Sequence, residues 1–169
     1  TRDGIFDFPS IKKIDQYPQR KFFEYFTQDY NNIHEIKKHW ITSQERINLD
    51  NKIKFFKTHH LNCKVDNYPF TNNGCTRATI YIVRDPRNLI DSISNHFSKS
   101  IEESKKFLLT SKILSPGKEI ELRGGNVITY IGSWKEHYKF WTKNNENLLI
   151  IKYADLVKNI HQEIDKIIA

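Results

Sequence analysis

The feature that most constrains this fold is an apolar run that ends in a charged turn. Residues Ala78–Arg84 contain the uninterrupted apolar stretch Ile80–Val83, which is typical of a buried strand. Asp85 then offers a side-chain acceptor to free backbone N–H groups, and Pro86 suits the first helical position because it lacks a donor that would be unpaired there. The sequence therefore predicts a strand that passes directly into a helix beginning at Pro86.

Similar patterns along the chain predict helices that alternate with short strands. We expect helices over Gln19–Tyr30, Asn32–Leu49 and from Trp134 onward, strands over Lys52–His60 and Leu148–Tyr153, a closing helix over Asp155–Ile168, and an irregular surface excursion over Glu102–Asn126. Strands that alternate with helices indicate an α/β layered fold with a mostly parallel central sheet flanked by helices.

Length and charge limit the classes of protein that this chain can represent. A length of 169 residues favours a single domain over residues 1–169. The net charge of +7 favours anionic partners such as phosphates, nucleotides or nucleic acid. The longest apolar runs fall far short of the roughly 20 residues of a membrane-spanning helix, so no membrane partner is expected. Cys63 and Cys75 form no CxxC pair and no HExxH motif is present, so we expect no metal site and a cytoplasmic location.

The first candidate site is the junction at Arg84. A guanidinium beside the free N–H groups of a helix start favours phosphate, because its planar fork of donors matches phosphate oxygens. Ser92 lies about two helical turns beyond Asp85, so its hydroxyl is placed to face the same cleft. A simpler interpretation stays open, in which Arg84 pairs with Asp85 or another neighbour and Ser92 faces water.

The second candidate site lies at the end of the strand predicted over Lys52–His60. His59 has the ordinary pKa range of a general base near neutral pH, and Lys57, two residues earlier, points to the same side of an extended chain. Such a pair suits deprotonation of an acceptor beside an anionic group. The alternative is that His59 is a surface or hydrogen-bonded histidine without a chemical role.

Three ordered passages resemble the cytosolic-type sulfotransferase family, in the form of a bacterial-like member. The segment Phe56-Lys57-Thr58-His59 resembles the strand that carries the family's catalytic histidine. Tyr81-Ile82-Val83-Arg84-Asp85-Pro86-Arg87 with Ser92 resembles its 3′-phosphate motif. The stretch from Gly132-Ser133-Trp134-Lys135-Glu136-His137 through Ile151-Lys152-Tyr153-Ala154-Asp155-Leu156 resembles a family helix and the strand end after it, with Ala154 in place of the commoner Glu.

The resemblance implies a P-loop-NTPase-like three-layer fold and the donor 3′-phosphoadenosine 5′-phosphosulfate (PAPS). Carried over by position, Arg84 and Ser92 hold the 3′-phosphate, His59 is the general base, Lys57 steadies the transferring group and Tyr153 lies by the nucleotide. The acceptor implied is a hydroxyl or amine of a small molecule, with no nucleic-acid partner. Its pocket is expected from Phe6, Phe8, Tyr17 and the 102–126 excursion.

Two family features are not found within these 169 residues. They are the Lys/Ser/Gly/Thr phosphosulfate loop and the C-terminal Arg-Lys-Gly clamp, and we expect both to lie outside the span, so that the domain is incomplete at both ends. The main rival hypothesis is a non-catalytic basic module that binds nucleic acid or a sulfated polysaccharide. A nucleotide kinase is a second rival, although no GxxxxGK[ST] loop is present.

Overall fold

A computed structural model describes residues 14–115, 125, 127–143 and 147–168. Helices alternate with short strands in this part of the chain. The helices are α1 (Ile33–Ile36), α2 (Trp40–Ile47), α3 (Pro86–Phe97), α4 (Ile101–Leu109), α5 (Trp134–Thr142), α6 (Tyr153–Lys158) and α7 (Ile160–Ile168), with 3-10 turns at Arg20–Phe22, Lys37–His39 and Asn48–Asp50. The strands are β1 (Asp15–Gln16), β2 (Phe56–Lys57), β3 (Lys64–Val65), β4 (Tyr68–Pro69), β5 (Thr79–Val83), β6 (Ile113–Leu114), β7 (Thr129–Tyr130) and β8 (Leu148–Lys152).

The strands pair two by two. Strands β1 and β2 form one parallel pair, and β5 and β8 form another, whereas β3–β4 and β6–β7 are antiparallel. The two parallel pairs agree with an α/β protein in which helices connect strands. Within the described ranges the four pairs remain separate and do not merge into the single central sheet that the sequence predicts.

An aromatic core holds the first half of the chain to α5. Its buried members are Tyr17, Phe23, Tyr30, Ile36, Trp40, Phe70, Val127, Ile128 and Trp141. Tyr17 anchors this core through its hydroxyl, which lies 2.9 Å from the Trp40 carbonyl oxygen and 2.7 Å from Ser43 Oγ. Burial of so many aromatic rings supplies the main stabilisation of this part of the fold.

Several predicted elements agree with the structure. The strand ending before Arg84, the helix beginning at Pro86 and the helix beginning at Trp134 lie where the sequence placed them. Asp85 caps α3 by accepting the Arg87 N–H, and Ser133 caps α5 in a reciprocal bond pair with Glu136. These junctions are set by local side-chain chemistry, which a sequence shows directly.

Other elements correct the prediction. Part of the expected excursion is the helix α4, which begins at a capping box between Ser100 and Glu103. The expected strand over Lys52–His60 is reduced to β2, because only Phe56 and Lys57 find partners in a neighbouring strand, at Asp15 and Gln16. The helix expected over Gln19–Tyr30 is one 3-10 turn, and the closing helix divides into α6 and α7 at Asn159.

Two further observations concern membrane-spanning helices and metal-binding groups. No helix among the described residues is long and apolar enough to cross a membrane. In the same part of the chain, no group of three or more His, Cys, Asp or Glu side chains is arranged to hold a metal ion.

Candidate functional site

The site is built on the shared end of β5 and β8. The parallel register pairs Thr79 with Leu148 at one end and Val83 with Lys152 at the other. Because both strands stop together, the residues that follow them, Arg84 and Tyr153, meet at the carboxyl edge. Arg84 Cζ lies 4.8 Å from the centre of the Tyr153 ring, which is a cation–π contact. The structure thus brings these two predicted site residues together.

The positive charge of Arg84 is left uncompensated by the described carboxylates. Asp85 is occupied by Arg87, whose guanidinium lies 2.6 Å from Asp85 Oδ2 and whose backbone N–H is 2.9 Å from Oδ1. These hydrogen bonds hold the pKa of Asp85 at about 2, so Asp85 stays ionised. The alternative in which Arg84 pairs with Asp85 is therefore not what the structure shows.

Ser92 lies in the middle of α3, seven residues beyond the cap residue Asp85. Two helical turns correspond to about 10 Å along the axis, so Ser92 stands farther from the strand edge than Tyr153 does. Its side chain is exposed, and its hydroxyl has no hydrogen-bond partner among the residues that the structure describes. It is open to solvent and to a ligand alike.

Lys57 and His59 lie at the end of β2. The Lys57 carbonyl accepts the Tyr17 N–H at 2.9 Å, which fixes the strand end to the aromatic core. The His59 ring reaches solvent, yet its surroundings desolvate it enough to lower its pKa, and the charge of Lys57 lowers the pKa further. A lowered pKa keeps the imidazole neutral at pH 7, the form that accepts a proton.

The neighbouring histidine has a different environment. His60 is fully buried and stacks on Phe70 with ring centres 4.0 Å apart. Its Nδ1 lies 2.7 Å from the Leu61 carbonyl oxygen, and burial lowers its pKa to about 3. His60 is a neutral core residue, so only His59 of this pair is placed for chemistry in solvent.

Two residues to which the sequence analysis gave no role join the site region. The Tyr81 hydroxyl lies 2.9 Å from His137 Nδ1. Burial lowers the pKa of His137 to about 4. The available sequence signal was the four-residue spacing of His137 and Trp141, which places both on one face of the predicted helix.

A hollow of about 150 Å³ opens beside His137. Its walls are largely apolar and come from β5, α4, α5 and the segments next to them: Tyr81, Phe107, Leu108, Lys112, Ile131, Gly132, Ser133, Trp134 and His137. Phe107, Leu108 and Lys112 belong to the excursion that was expected to line an acceptor pocket. Tyr17 lies in the core instead, and Phe6 and Phe8 fall outside the described residues.

Among the described residues, the Arg84 guanidinium pairs with no carboxylate and stands at the joint end of two parallel strands of an α/β protein. Comparison with known families makes the class more specific. The sulfotransferase domain family matches residues 6–169, and the chain belongs to this family. The resemblance seen in the sequence is thereby confirmed.

The chain is also similar to a 3-alpha-hydroxysteroid sulfotransferase from Cavia porcellus. The two are 34% identical over 91 residues, which cover 52% of this chain and 29% of the relative. The matched stretch thus spans less than a third of the length of that curated protein.

Proposed function

We propose that this protein transfers a sulfuryl group from PAPS to a hydroxyl or amine of a small molecule in the cytoplasm. The observation that carries the proposal is the Arg84 guanidinium, which lies against Tyr153 at the end of β5 and β8 and pairs with no described carboxylate. Membership of the sulfotransferase domain family supports the reaction class. It also supports a P-loop-like three-layer fold, in which the two parallel strand pairs belong to one central sheet.

The residues at the strand edge fit a phosphorylated nucleoside. Arg84 supplies a planar fork of donors for the 3′-phosphate, and the exposed Ser92 hydroxyl supplies a further donor from α3. The residue Tyr153 is 40% exposed, and its ring lies beside the nucleotide. When bound, the donor supplies the sulfuryl group, which leaves its 5′-phosphate oxygen as the acceptor oxygen or nitrogen bonds to sulfur in line.

His59 and Lys57 are the proposed catalytic residues. The neutral His59 ring takes the proton of the acceptor hydroxyl or amine, and its lowered pKa keeps it in the neutral form at pH 7. The Lys57 ammonium steadies the negative charge that spreads over the transferring group. The Lys57 ammonium supplies the positive charge at the transferring group, so the proposal includes no metal.

A small acceptor with an apolar body is consistent with the hollow beside His137. Its room of about 150 Å³ and its largely apolar walls suit a compact molecule rather than a polymer chain. The name of the Cavia porcellus relative, a hydroxysteroid sulfotransferase, points in the same direction. We therefore propose an apolar molecule that carries one hydroxyl or amine as the acceptor.

Calorimetry with adenosine 3′,5′-bisphosphate, the product of the donor, tests the nucleotide site. We expect Arg84→Ala to weaken binding at least tenfold, since a charge-assisted contact to phosphate contributes on the order of 1.5 kcal/mol or more. Arg87→Ala is the matched control, because Arg87 is already paired with Asp85. Equal affinity in wild type and Arg84→Ala would contradict the assignment, and salt-sensitive binding to any polyanion without nucleotide preference would favour the basic-module hypothesis.

Measurement of turnover distinguishes the role of the proposed base, His59, from that of the proposed nucleotide site. His59→Ala is expected to lower kcat by on the order of a hundredfold or more, because proton transfer by a positioned base contributes about that factor. The bisphosphate affinity of the same variant should equal that of the wild type. A His59→Ala protein that keeps its kcat would exclude His59 as the base.

A further inference from the structure

The segment that follows β2 is fixed on both sides of His59. Before His59, the Lys57 carbonyl oxygen accepts the Tyr17 N–H at 2.9 Å. After it, the His60 carbonyl oxygen accepts from Trp141 Nε1 at 3.1 Å. Tyr17 and Trp141 both belong to the aromatic core, whereas His59 is exposed. An exposed imidazole thus stands between two residues whose carbonyl groups are bonded to the core.

The residue directly after His59 is held firmly by its own contacts. His60 is fully buried and its ring stacks on Phe70. The Nδ1–H of His60 donates to the Leu61 carbonyl oxygen at 2.7 Å, because a carbonyl can only accept. The Leu61 N–H in turn donates to the Tyr130 carbonyl oxygen at 2.6 Å. A group that bonds to the His60 backbone is therefore bonded to a close-packed part of the protein.

Thr58 forms such a bond from the other side of His59. Its Oγ1 accepts the His60 N–H at 3.0 Å, which closes a turn with His59 at its apex. The dihedral angles of the apex residue set the direction of its Cα–Cβ bond, and this turn constrains them. Thr58 is half-buried, so the bond is partly shielded from water. The Thr58 hydroxyl thus limits the directions in which the His59 ring can extend.

We propose that Thr58 is a positioning residue for His59, which it orients through the turn that its hydroxyl closes. The proposal rests on the function proposed above, in which His59 is the general base. A displacement of about 1 Å at a reacting group can cost about a hundredfold in rate. A hydroxyl that fixes the direction of the base therefore affects kcat, although the proposal gives it no contact with the acceptor or the donor.

Two substitutions at Thr58, made in the full chain, separate positioning from packing. Thr58→Val keeps the branched shape and removes the hydroxyl, whereas Thr58→Ser keeps the hydroxyl and removes the methyl group. We expect Thr58→Val to lower kcat about tenfold and Thr58→Ser to retain most of the wild-type value. The donor KM and the affinity for adenosine 3′,5′-bisphosphate should stay unchanged in both, because Arg84 and Tyr153 stand at the end of β5 and β8. Wild-type kcat in Thr58→Val, or a larger loss in Thr58→Ser than in Thr58→Val, would overturn the proposal.

Thr27 offers a matched control within the same chain. Its Oγ1 accepts the N–H of Asp29, two residues further on, and this bond is also 3.0 Å long. Thr27→Val removes the same kind of bond from a turn that carries no proposed catalytic residue. It should lower Tm about as much as Thr58→Val does, while its kcat should equal that of the wild type. Equal losses of kcat in the two variants would show that loosening either turn slows the reaction, which contradicts a specific role of Thr58.

A double variant shows whether Thr58 acts through His59. If it does, His59→Ala/Thr58→Val is no slower than His59→Ala, whereas additive losses contradict the proposal. Should Thr58→Val fail to fold, equal kcat in Thr58→Ala and Thr58→Ser overturns it instead. A His59→Ala protein with wild-type kcat overturns the base assignment together with this proposal, but a slow one beside a fully active Thr58→Val overturns the positioning role alone.

Discussion

At the scale of single residues, the contact between Arg84 and Tyr153 gives the first prediction. The ring face, rather than the hydroxyl, lies against the guanidinium. Tyr153→Phe should therefore keep the affinity for the bisphosphate, and Tyr153→Leu should weaken it about two- to fivefold, as expected from a cation–π contact of about 0.5–1 kcal/mol. Titration calorimetry measures both. Equal weakening in the two variants would indicate that the hydroxyl contacts the nucleotide.

His60 gives a prediction about acid stability. Its folded-state pKa of about 3 lies below its ordinary value of 6.5, so the unfolded chain binds more protons between these two pH values. Stability rises with pH wherever the unfolded state binds more protons. The free energy of unfolding should therefore be constant with respect to His60 above pH 6.5 and fall as the pH drops below it. His137, with a pKa lowered to about 4, acts in the same direction.

Thermal unfolding from about pH 8 to about pH 5 measures this effect. We expect His60→Phe to flatten the decline of Tm below pH 6.5, whatever its Tm at neutral pH, because the variant has no imidazole to protonate. His161→Gln, at an exposed position of α7, is the matched control and should leave the slope unchanged. A slope that is the same in wild type and His60→Phe would show that His60 does not limit acid stability.

At the scale of elements, the capping box at the start of α5 contributes to the stability of the fold. Ser133 accepts the Glu136 N–H, and the Glu136 carboxylate returns to the Ser133 N–H at 2.7 Å. Ser133→Ala should lower the free energy of unfolding by about 1 kcal/mol, the usual loss at such a position. Chemical denaturation checks this value.

Ser100→Ala, at the capping box of α4, is the matched comparison. Both variants should lose similar stability, because each removes the same reciprocal pair of hydrogen bonds at a helix start. A much larger loss in Ser133→Ala than in Ser100→Ala would contradict an equal contribution of the two caps.

Gly132 has a backbone conformation and close neighbours that disfavour a side chain at this junction. Its φ of 69° is left-handed, and a Cβ there would lie 3.3 Å from Leu61 Cδ2 and from two atoms of Glu136. Glycine adopts this conformation without a steric penalty. The Gly132-Ser133 pair therefore sets the direction in which α5 leaves the preceding strand.

The starts of helices were predictable from the sequence where a capping residue immediately precedes the helix. Asp85-Pro86 and the Ser133–Glu136 box are of this kind, and α3 and α5 begin where they predict. The Ser100–Glu103 box was equally visible, but the mixed polarity that follows it suggested an irregular segment. Strand β2 was overestimated because apolar residues of Lys52–His60 remain exposed, Ile53 at 68% among them.

The candidate site was only partly readable from sequence. Motif order named Arg84 and Tyr153, and the parallel register that makes them neighbours follows from an α/β topology. Their contribution to binding, and the roles of Lys57, His59 and Ser92, stay predictions. The contact between His137 and Tyr81 was not predicted, because the two residues are 56 positions apart and local patterns do not encode such a pair.

At the scale of the whole molecule, burial is uneven. The aromatic core fixes α2 and α5 through fully or nearly fully buried tryptophans, whereas α3 and α6, which flank the proposed nucleotide site, contain no buried residue. Local opening is easiest where little apolar surface is buried. Hydrogen exchange should therefore be slow in α2 and faster in α3 and α6.

Saturating adenosine 3′,5′-bisphosphate should slow exchange in α3 and α6 selectively. Binding at 100 times Kd stabilises a folded state by about 2.7 kcal/mol, which is ample for detection. Exchange by mass spectrometry with and without the nucleotide gives the measurement, and α2 is the internal reference. A uniform decrease, or none, would place the nucleotide elsewhere.

Strands β5 and β8 end at the same position of their shared register, and this limits which insertions and deletions the site can accept. Arg84 and Tyr153 are neighbours only while Val83 stays opposite Lys152. Side chains alternate between the faces of a strand, so a one-residue insertion or deletion within either strand would turn one partner to the opposite face. Gains and losses of single codons in these two stretches should therefore abolish nucleotide recognition even where the helices beyond them fold as before.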